Sequence, residues 1–138
     1  MTSTAPDDPM MPVQPTPSDG PPLQVVMVSM HTSPVASPGS ADAGGMNVFE
    51  VNAARALGAR GHRVELLTRR DAPELPEVVE VAPGVRLFNL TAGPAESVAK
   101  SKQESLIEPF RQALAHWWQT HGTGVDVLHS QHWFSGVA

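Results

Sequence analysis

Two adjacent glycines stand directly before a predicted helix, where the chain could hold an anion. Gly44 and Gly45 end a loop that starts after the first predicted strand. Glycine lets the backbone approach a ligand closely, and a helix N-terminus presents unpaired N–H groups with partial positive charge. This arrangement suits a phosphate group, although the same glycines could simply turn the chain. It is not a dinucleotide-binding fingerprint, because the G-x-G-x-x-G spacing is missing.

The same loop and the helix after it contain three polar residues that could contact a ligand. His31 directly follows the first strand, so its imidazole is expected to point into a cleft there. Asp42 could accept hydrogen bonds from sugar hydroxyls, or it could close an Asx turn. Asn47 lies in the first helical turn, where its amide could reach a ligand or cap the helix. Each residue therefore has both a binding and a structural interpretation.

Two later segments carry further groups that bind anions or hydroxyls. Lys100 follows a loop with glycine and proline and could pair with a phosphate, but the neighbouring Lys102 illustrates the simpler interpretation of a solvated charge. His129, His132 and Trp133 lie near the end of the chain and suit a sugar or polyol pocket. Ligands of open α/β sheets bind outside the carboxyl ends of the strands. All three segments follow predicted strands, so we expect them at that edge.

The hydrophobic pattern predicts the elements that position these segments. Apolar, β-branched runs predict strands, and periodic apolar residues bounded by glycines predict helices. The predicted strands span residues 23–30, 62–68, 78–81, 85–90 and 125–129, and the predicted helices span residues 47–60 and 101–120. Strands that alternate with amphipathic helices predict an α/β fold with a Rossmann-like, open and mainly parallel sheet.

Several details of burial also follow from this pattern. The first and last strands are expected to be buried, and the second is expected to have one less buried face. The first helix, which Gly61 ends, is expected to turn one apolar face to the core, and Trp117 and Trp118 are expected to be core residues. The residues of that apolar face are Phe49, Ala53, Ala56 and Leu57.

Composition limits the classes of function. The chain has 138 residues, a formal net charge of −5 and no cysteine. The acidic balance argues against binders of nucleic acids or membrane surfaces, which need a basic face, and the lack of cysteine excludes disulfides and thiolate metal sites. No apolar run has the length of a membrane span and no signal peptide is recognised, so we expect a cytoplasmic protein. Residues 1–22 hold seven of the 14 prolines and are predicted to form a disordered leader before a folded part at 23–138.

Several strings in the folded part resemble the start of a retaining glycosyltransferase of the GT-B fold, in the family that includes sucrose and sucrose-phosphate synthases. The most specific string runs from His31 to Val48 and contains HTSP, PG and DAGGMNV. Shorter strings support it, namely LTR at 67–69, VAPGVR at 81–86, AGP at 92–94 and LHS at 128–130. The likeness covers residues 25–136 and is greatest to the branch of the family that acts in mycothiol biosynthesis.

The resemblance implies a reaction and a set of site residues. It implies transfer of N-acetylglucosamine from a UDP-sugar to an inositol phosphate or sugar acceptor with retention, by an acceptor-side N-terminal domain and a donor-side second domain. Both substrates are small molecules. The resemblance implies no cofactor or metal in this chain, and it allows Mg²⁺ in the second domain and a homodimer. The residues that it assigns are His31 and Asp42 for catalysis, and Pro38, Ala43, Gly44, Gly45, Met46, Asn47, Lys100 and His132 for substrate binding.

Departures from the family pattern leave alternatives open. His132 replaces the tyrosine that contacts the acceptor phosphate in the mycothiol branch, and Ser37 replaces a glutamine. Imidazole can still donate a hydrogen bond, but another polyol or sugar acceptor also fits. A GT-B enzyme needs two α/β domains, and the donor domain is expected to be absent here. The alternatives are a catalytically inactive fragment, a sucrose-phosphate-synthase-like transferase, or an unrelated nucleotide-binding module.

Overall fold

A five-stranded sheet organises the chain. The computed structural model describes residues 16–36 and 44–138. The strands are β1 Gln24–Ser29, β2 Arg63–Arg69, β3 Val78–Ala82, β4 Val85–Leu90 and β5 Val127–Ser130, in the order β3-β4-β2-β1-β5. β1 pairs in parallel with β2 and β5, β2 pairs in parallel with β4, and β3 pairs antiparallel with β4. The predicted α/β fold with a mainly parallel sheet is confirmed.

Helices cover both faces of this sheet. The helices are α1 Gly45–Ala59, a 3-10 helix at Lys100–Leu106, α2 Ile107–His121 and α3 His132–Val137. Successive side chains of a strand point to opposite faces, so β1 contributes to two cores. Val26 and Val28 belong to the core that contains Phe110 of α2, whereas Val25 belongs to the core that contains Ala54 of α1. A strand buried on both faces explains why β1 is a continuous apolar run.

Two glycines set how closely α1 lies on the sheet and where it ends. A Cβ on Gly58 would stand 2.8 Å from both the Pro83 carbonyl oxygen and a Val85 methyl carbon, so a larger residue would push the helix away. Gly61 has φ +93°, a backbone conformation that favours glycine, and its N–H donates to the Gly58 carbonyl at 3.0 Å. The predicted end of the first helix at Gly61 is confirmed.

The predicted inner face of α1 is wrong in part. Phe49 is 60% exposed and Ala56 is also exposed, although Ala53 and Leu57 pack against the sheet as expected. The buried residues are instead Asn47, Glu50 and Ala54. The side of α1 that carries these three residues faces the interior because Asn47 binds the chain that follows β1. Hydrophobicity alone cannot identify a helix face that buries an amide and a carboxyl group.

β5 is an exposed edge strand, not the buried strand that its sequence predicts. All four residues are exposed, and Leu128 is 57% exposed. Within the described residues β5 pairs with β1 alone, so one edge stays open. Near this strand, Trp118 is 41% exposed, whereas Trp117 is buried as predicted.

The less buried face that the sequence predicts for β2 is absent. All residues of β2 after Arg63 are buried, and Glu65 is 1% exposed. Arg86 lies opposite Glu65 on β4 and forms a bidentate ion pair with it, with Arg86 Nε 3.0 Å from Glu65 Oε2. A buried carboxylate is tolerated here because a guanidinium donates two hydrogen bonds to it.

The second predicted helix consists of two pieces. The 3-10 helix comes first, and α2 continues directly from it. Pro109 lies in the first turn of α2, where a proline costs no helical hydrogen bond because the N–H groups of that turn have no partner in the helix. Leu106 and Phe110 are buried, so both pieces contribute to the core.

Glu50 is buried in α1 without a cation. It is fully buried, and neither carboxylate oxygen accepts a hydrogen bond of normal geometry from the described residues. The Ser29 hydroxyl, which donates to the Thr32 carbonyl at 3.1 Å, lies near enough to favour the charged carboxylate slightly. Burial dominates and raises the pKa of Glu50 from 4.5 to about 7.

We expect Glu50→Gln to flatten the pH dependence of stability. Folding raises the pKa of Glu50, so the contribution of this group is fully present below pH 4.5 and is lost as the pH rises through about 7. A shift of this size corresponds to about 3 kcal/mol. The free energy of unfolding, measured by urea titration from pH 5 to 9, should fall more steeply in the natural chain than in Glu50→Gln. Glu74→Gln changes an exposed carboxylate and is the control; parallel curves for all three proteins would contradict the prediction.

Candidate functional site

Three segments meet at the carboxyl ends of the parallel strands. His31 follows β1, Lys100 follows β4 and its loop, and His132 follows β5. The ring centroids of His31 and His132 lie 4.5 Å apart. Lys100 is close enough for its charge to act on the His132 imidazole. The structure therefore brings together three predicted site residues that are far apart in the sequence.

His132, the first residue of α3, has an unusual backbone conformation. Its φ is +64°, in the left-handed region that residues other than glycine seldom adopt. Burial lowers the pKa of His132, and the positive charge of Lys100 lowers it further. Near neutral pH the imidazole is therefore mostly uncharged, and a bound anion would offset the effect of Lys100.

A buried arginine holds the loop that leads to Lys100. Arg69, the last residue of β2, is 4% exposed. Its Nη1 donates to the Pro94 carbonyl at 2.7 Å and its Nη2 donates to the Glu96 carbonyl at 2.7 Å. Burial lowers the pKa of Arg69, and the carboxylates of Asp71 and Glu96 partly oppose this shift. Sequence reasoning assigned Arg69 no role; a charged residue at the end of an apolar strand was the available signal.

Gln103 connects the segment after β1 to the Lys100 segment. It is 3% exposed, and its Nε2 donates to the His31 carbonyl at 3.0 Å and to the Val98 carbonyl at 2.8 Å. This amide fixes the His31 backbone relative to the 3-10 helix that begins at Lys100. Nothing in the sequence distinguished Gln103 from a surface residue of an amphipathic helix.

Asn47 supports the segment after β1 from the other side. Its Nδ2 donates to the Thr32 hydroxyl at 3.2 Å and to the Ser33 carbonyl at 2.5 Å, and the residue is 4% exposed. The N-cap of α1 is Gly44, which has no side chain to cap the helix. Asn47 therefore neither caps α1 nor projects freely, and its amide N–H groups position the chain beside His31.

The N-terminus of α1 is open to the surroundings. Gly44 and Gly45 are exposed, and a Cβ on either would meet no other described atom within 4 Å. Met46 beside them is 37% exposed. The described residues therefore leave space beside the first turn of α1, in which the Asn47 N–H donates to the Gly44 carbonyl at 3.1 Å. The predicted site residues Pro38, Asp42 and Ala43 lie outside the described residues.

A small polar cleft of about 140 Å³ lies beside these groups. His31, Ser33, Arg69 and Ser97 contribute to its walls. Hydroxyl, imidazole and backbone groups of this kind can bind hydroxyls and anions. Within residues 16–36 and 44–138 no group of three His, Asp or Glu side chains could hold a metal ion. In the same ranges no helix combines the length and apolar character needed to cross a membrane.

Replacing Arg69 by methionine should release the Lys100 loop. The variant leaves the Pro94 and Glu96 carbonyls without their donors, and we expect a loss of about 3 kcal/mol in the free energy of unfolding. Hydrogen exchange of the amides in residues 95–100 should accelerate at least tenfold. Arg111→Met is the control, because Arg111 forms an exposed ion pair with Glu108 that contributes little. Unchanged exchange in residues 95–100 would show that Arg69 does not hold this loop.

Comparison with known proteins gives the relatives of this chain. A family model described as a glycosyl transferase 4-like domain matches residues 44–138. Proteins named D-inositol 3-phosphate glycosyltransferase are 40% identical over 114 residues in Corynebacterium diphtheriae and 44% identical over 114 residues in Kineococcus radiotolerans. These alignments cover 83% and 82% of this chain, but 27% and 26% of the relatives.

A solved structure has the same fold. Sucrose-phosphate synthase from Thermosynechococcus elongatus matches with a TM-score of 0.77 and 30% identity, over 83% of this chain and 28% of that protein. The chain thus spans about a quarter of the length of the proteins that it matches. It corresponds to the N-terminal part of a GT-B glycosyltransferase fold. The family model covers well over half of the chain, and the chain belongs to the glycosyl transferase 4-like family.

Proposed function

We propose that this chain is the acceptor-side part of a retaining glycosyltransferase. The enzyme transfers a sugar, preferably N-acetylglucosamine, from a UDP-sugar to an inositol phosphate or a related polyol phosphate. The observation that carries the proposal is the convergence of His31, Lys100 and His132, with Asn47 of α1 bound to the residues directly after His31. Relatives at 40–44% identity named for an inositol 3-phosphate substrate support this choice of acceptor.

The acceptor phosphate would bind between Lys100 and His132. The Lys100 ammonium supplies a charge, and the His132 imidazole supplies a directional N–H donor next to it. An approaching phosphate cancels the repulsion that lowers the pKa of His132 and favours its protonated form. His31, whose ring lies against His132, would then face the hydroxyl groups of the polyol.

The donor diphosphate would lie at the N-terminus of α1. Gly44 and Gly45 leave room for it, and the free N–H groups and helix dipole stabilise negative charge as it develops. In the transfer step the acceptor oxygen bonds to the anomeric carbon as the bond from that carbon to the diphosphate oxygen breaks. The acceptor proton passes to the leaving diphosphate on the same face of the sugar, so configuration is retained. The protein contributes chiefly by orientation and charge stabilisation.

A sucrose-phosphate-synthase-like transferase is the second candidate. The structural match at a TM-score of 0.77 favours it, but the identity of 30% is lower than that of the inositol 3-phosphate enzymes. The two candidates differ in the acceptor, so assays of the complete protein with inositol 3-phosphate and with a phosphorylated ketose distinguish them. Preference for the ketose would overturn the inositol assignment and leave the transferase assignment intact.

Lys100→Gln should selectively weaken binding of the acceptor. Loss of one charge-assisted contact corresponds to a rise of about 10- to 100-fold in KM for a phosphorylated polyol, with a much smaller change in kcat and in KM for the UDP-sugar. Steady-state transfer assays of the complete protein measure these constants. Lys102→Gln removes a nearby exposed lysine and should have no such effect. Equal effects of the two substitutions would contradict a specific role for Lys100.

Gly45→Leu should abolish transfer without harming the fold. A Cβ at Gly45 meets no described atom within 4 Å, and leucine is a better helix former than glycine, so the melting temperature should be unchanged or higher. The same side chain would occupy the space of the donor diphosphate. Val48→Leu, an exposed position one turn along α1, is the control. Activity near that of the natural protein in Gly45→Leu would refute donor binding at this helix.

A further inference from the structure

A buried serine of α3 is bonded to the residue that follows β1. Ser135 is 4% exposed, and its Oγ accepts a hydrogen bond from the Met30 backbone N–H at 2.9 Å. Met30 is itself buried and directly precedes His31, and Ser135 follows His132 by three residues. This hydrogen bond therefore joins the two segments whose histidine rings lie 4.5 Å apart.

The Ser135 hydroxyl stands in for an acceptor that β5 does not provide. Every second residue of a strand bonds to the same neighbour, and Val28 bonds to β5, because its carbonyl accepts from the residue after Ser130 at 2.8 Å. Val28 lies opposite Ser130, so the same register would place His132 opposite Met30. At His132, however, φ is +64° and α3 begins, so the strand does not continue. The buried Met30 N–H is bonded to Ser135 instead.

The short helix α3 depends on contacts with the sheet. It has six residues, and an isolated helix of fewer than about 12 residues is marginal in water. It also begins with a residue in the left-handed region, a conformation that persists only where the surroundings impose it. Phe134 holds α3 by apolar packing in the core that contains Phe110, and Ser135 holds it by a hydrogen bond. Apolar packing is not directional, so the hydrogen bond is the contact suited to fix the orientation of α3.

We propose that Ser135 is a positioning residue of the acceptor site, whose hydroxyl holds the His132 imidazole against His31. It keeps that imidazole beside Lys100, where an acceptor phosphate would bind. Ser135 acts through His132 and does not itself contact the acceptor. The inference rests on the proposed function for the identity of the ligand, whereas the hold on His132 is a property of this chain alone.

Two substitutions at Ser135 separate its hydroxyl from the rest of the side chain. Ser135→Ala removes the acceptor of the Met30 N–H, and Ser135→Thr retains it. Ser135 lines a recess of about 300 Å³, which leaves space beside it for the additional methyl group of threonine. Thr68→Val is the control for lost stability, because the Thr68 hydroxyl is also buried and donates to the Ser29 carbonyl at 2.8 Å, but belongs to β2.

The histidine rings provide a direct measurement by NMR in the full 138-residue chain. The chain has six histidines, and His31→Asn and His132→Asn assign the two resonances of interest. In the natural chain we expect an NOE between the ring protons of His31 and His132, and a pKa of His132 below 6.5. In Ser135→Ala the NOE should be lost. The pKa of His132 should rise toward 6.5, because the ring leaves its partly buried place beside Lys100.

The other variants decide whether these changes report the hydroxyl. Ser135→Thr and Thr68→Val should keep both the NOE and the lowered pKa of His132. An unchanged NOE and an unchanged pKa in Ser135→Ala would overturn the proposal, because other contacts would then hold His132. The same changes in Thr68→Val would also overturn it, because lost stability alone would then release the ring.

Kinetics of the complete protein separate this inference from the proposed function. Ser135→Ala should raise KM for inositol 3-phosphate about tenfold, with much smaller changes in kcat and in KM for the UDP-sugar, and Ser135→Thr should stay near the natural values. An unchanged KM in Ser135→Ala, in a protein that transfers sugar to this acceptor, would overturn the positioning role and leave the proposed function intact. Absence of transfer to any polyol phosphate by the natural protein would refute the proposed function, and the NMR result would still decide whether Ser135 holds His132.

Discussion

Parallel pairing of β1 with both β2 and β5 is the constraint on which the rest of the structure depends. Val28 lies opposite Leu67 on one side and Ser130 on the other, so the three strands end at nearly the same level. The Val28 carbonyl also accepts a hydrogen bond from Gln131 at 2.8 Å, which extends the pairing to the residue before His132. The polar residues that follow the three strands therefore lie at one edge of the sheet. A slip of one residue would turn every side chain of a strand to the other face and separate the histidines.

Beyond that edge, the segments are held by buried side chains that donate to backbone carbonyls. Arg69 and Gln103 fix the Lys100 segment, and Asn47 fixes the segment after β1. Loop carbonyl groups that are buried away from water need hydrogen-bond donors. A side chain on a strand or helix supplies such donors at a fixed position. The result is that His31, in a loop, and Lys100 and His132, each the first residue of a helix, have defined positions. These side chains hold the site residues in place, and Arg69 and Gln103 also line the cleft beside His31.

The sequence predicted the elements of the fold well and the contacts of the site poorly. The strands and helices were predictable because a continuous apolar run, as in β1, and apolar periodicity, as in α2, both report burial directly. The inner face of α1 was not predictable, because Asn47 and Glu50 are buried although their side chains are polar. The burial of Glu65 depends on its ion pair with Arg86, which is distant in the sequence. The contact of His31 with His132 depends on strand order, which no local pattern encodes. The roles given to the site residues came from family resemblance and remain predictions.

The glycines at the start of α1 show how packing and function can be separated. Gly58 is required by the fold, because a Cβ there would collide with the Pro83 carbonyl and Val85. At Gly44 and Gly45 the described residues leave a Cβ free of contacts, and Gly44 has φ −136°, which any residue can adopt. Neither sterics nor backbone strain among these residues explains two glycines at this place, and glycine lowers helix propensity. The pair therefore fits the proposed donor site, in which a ligand would approach the helix N-terminus closely.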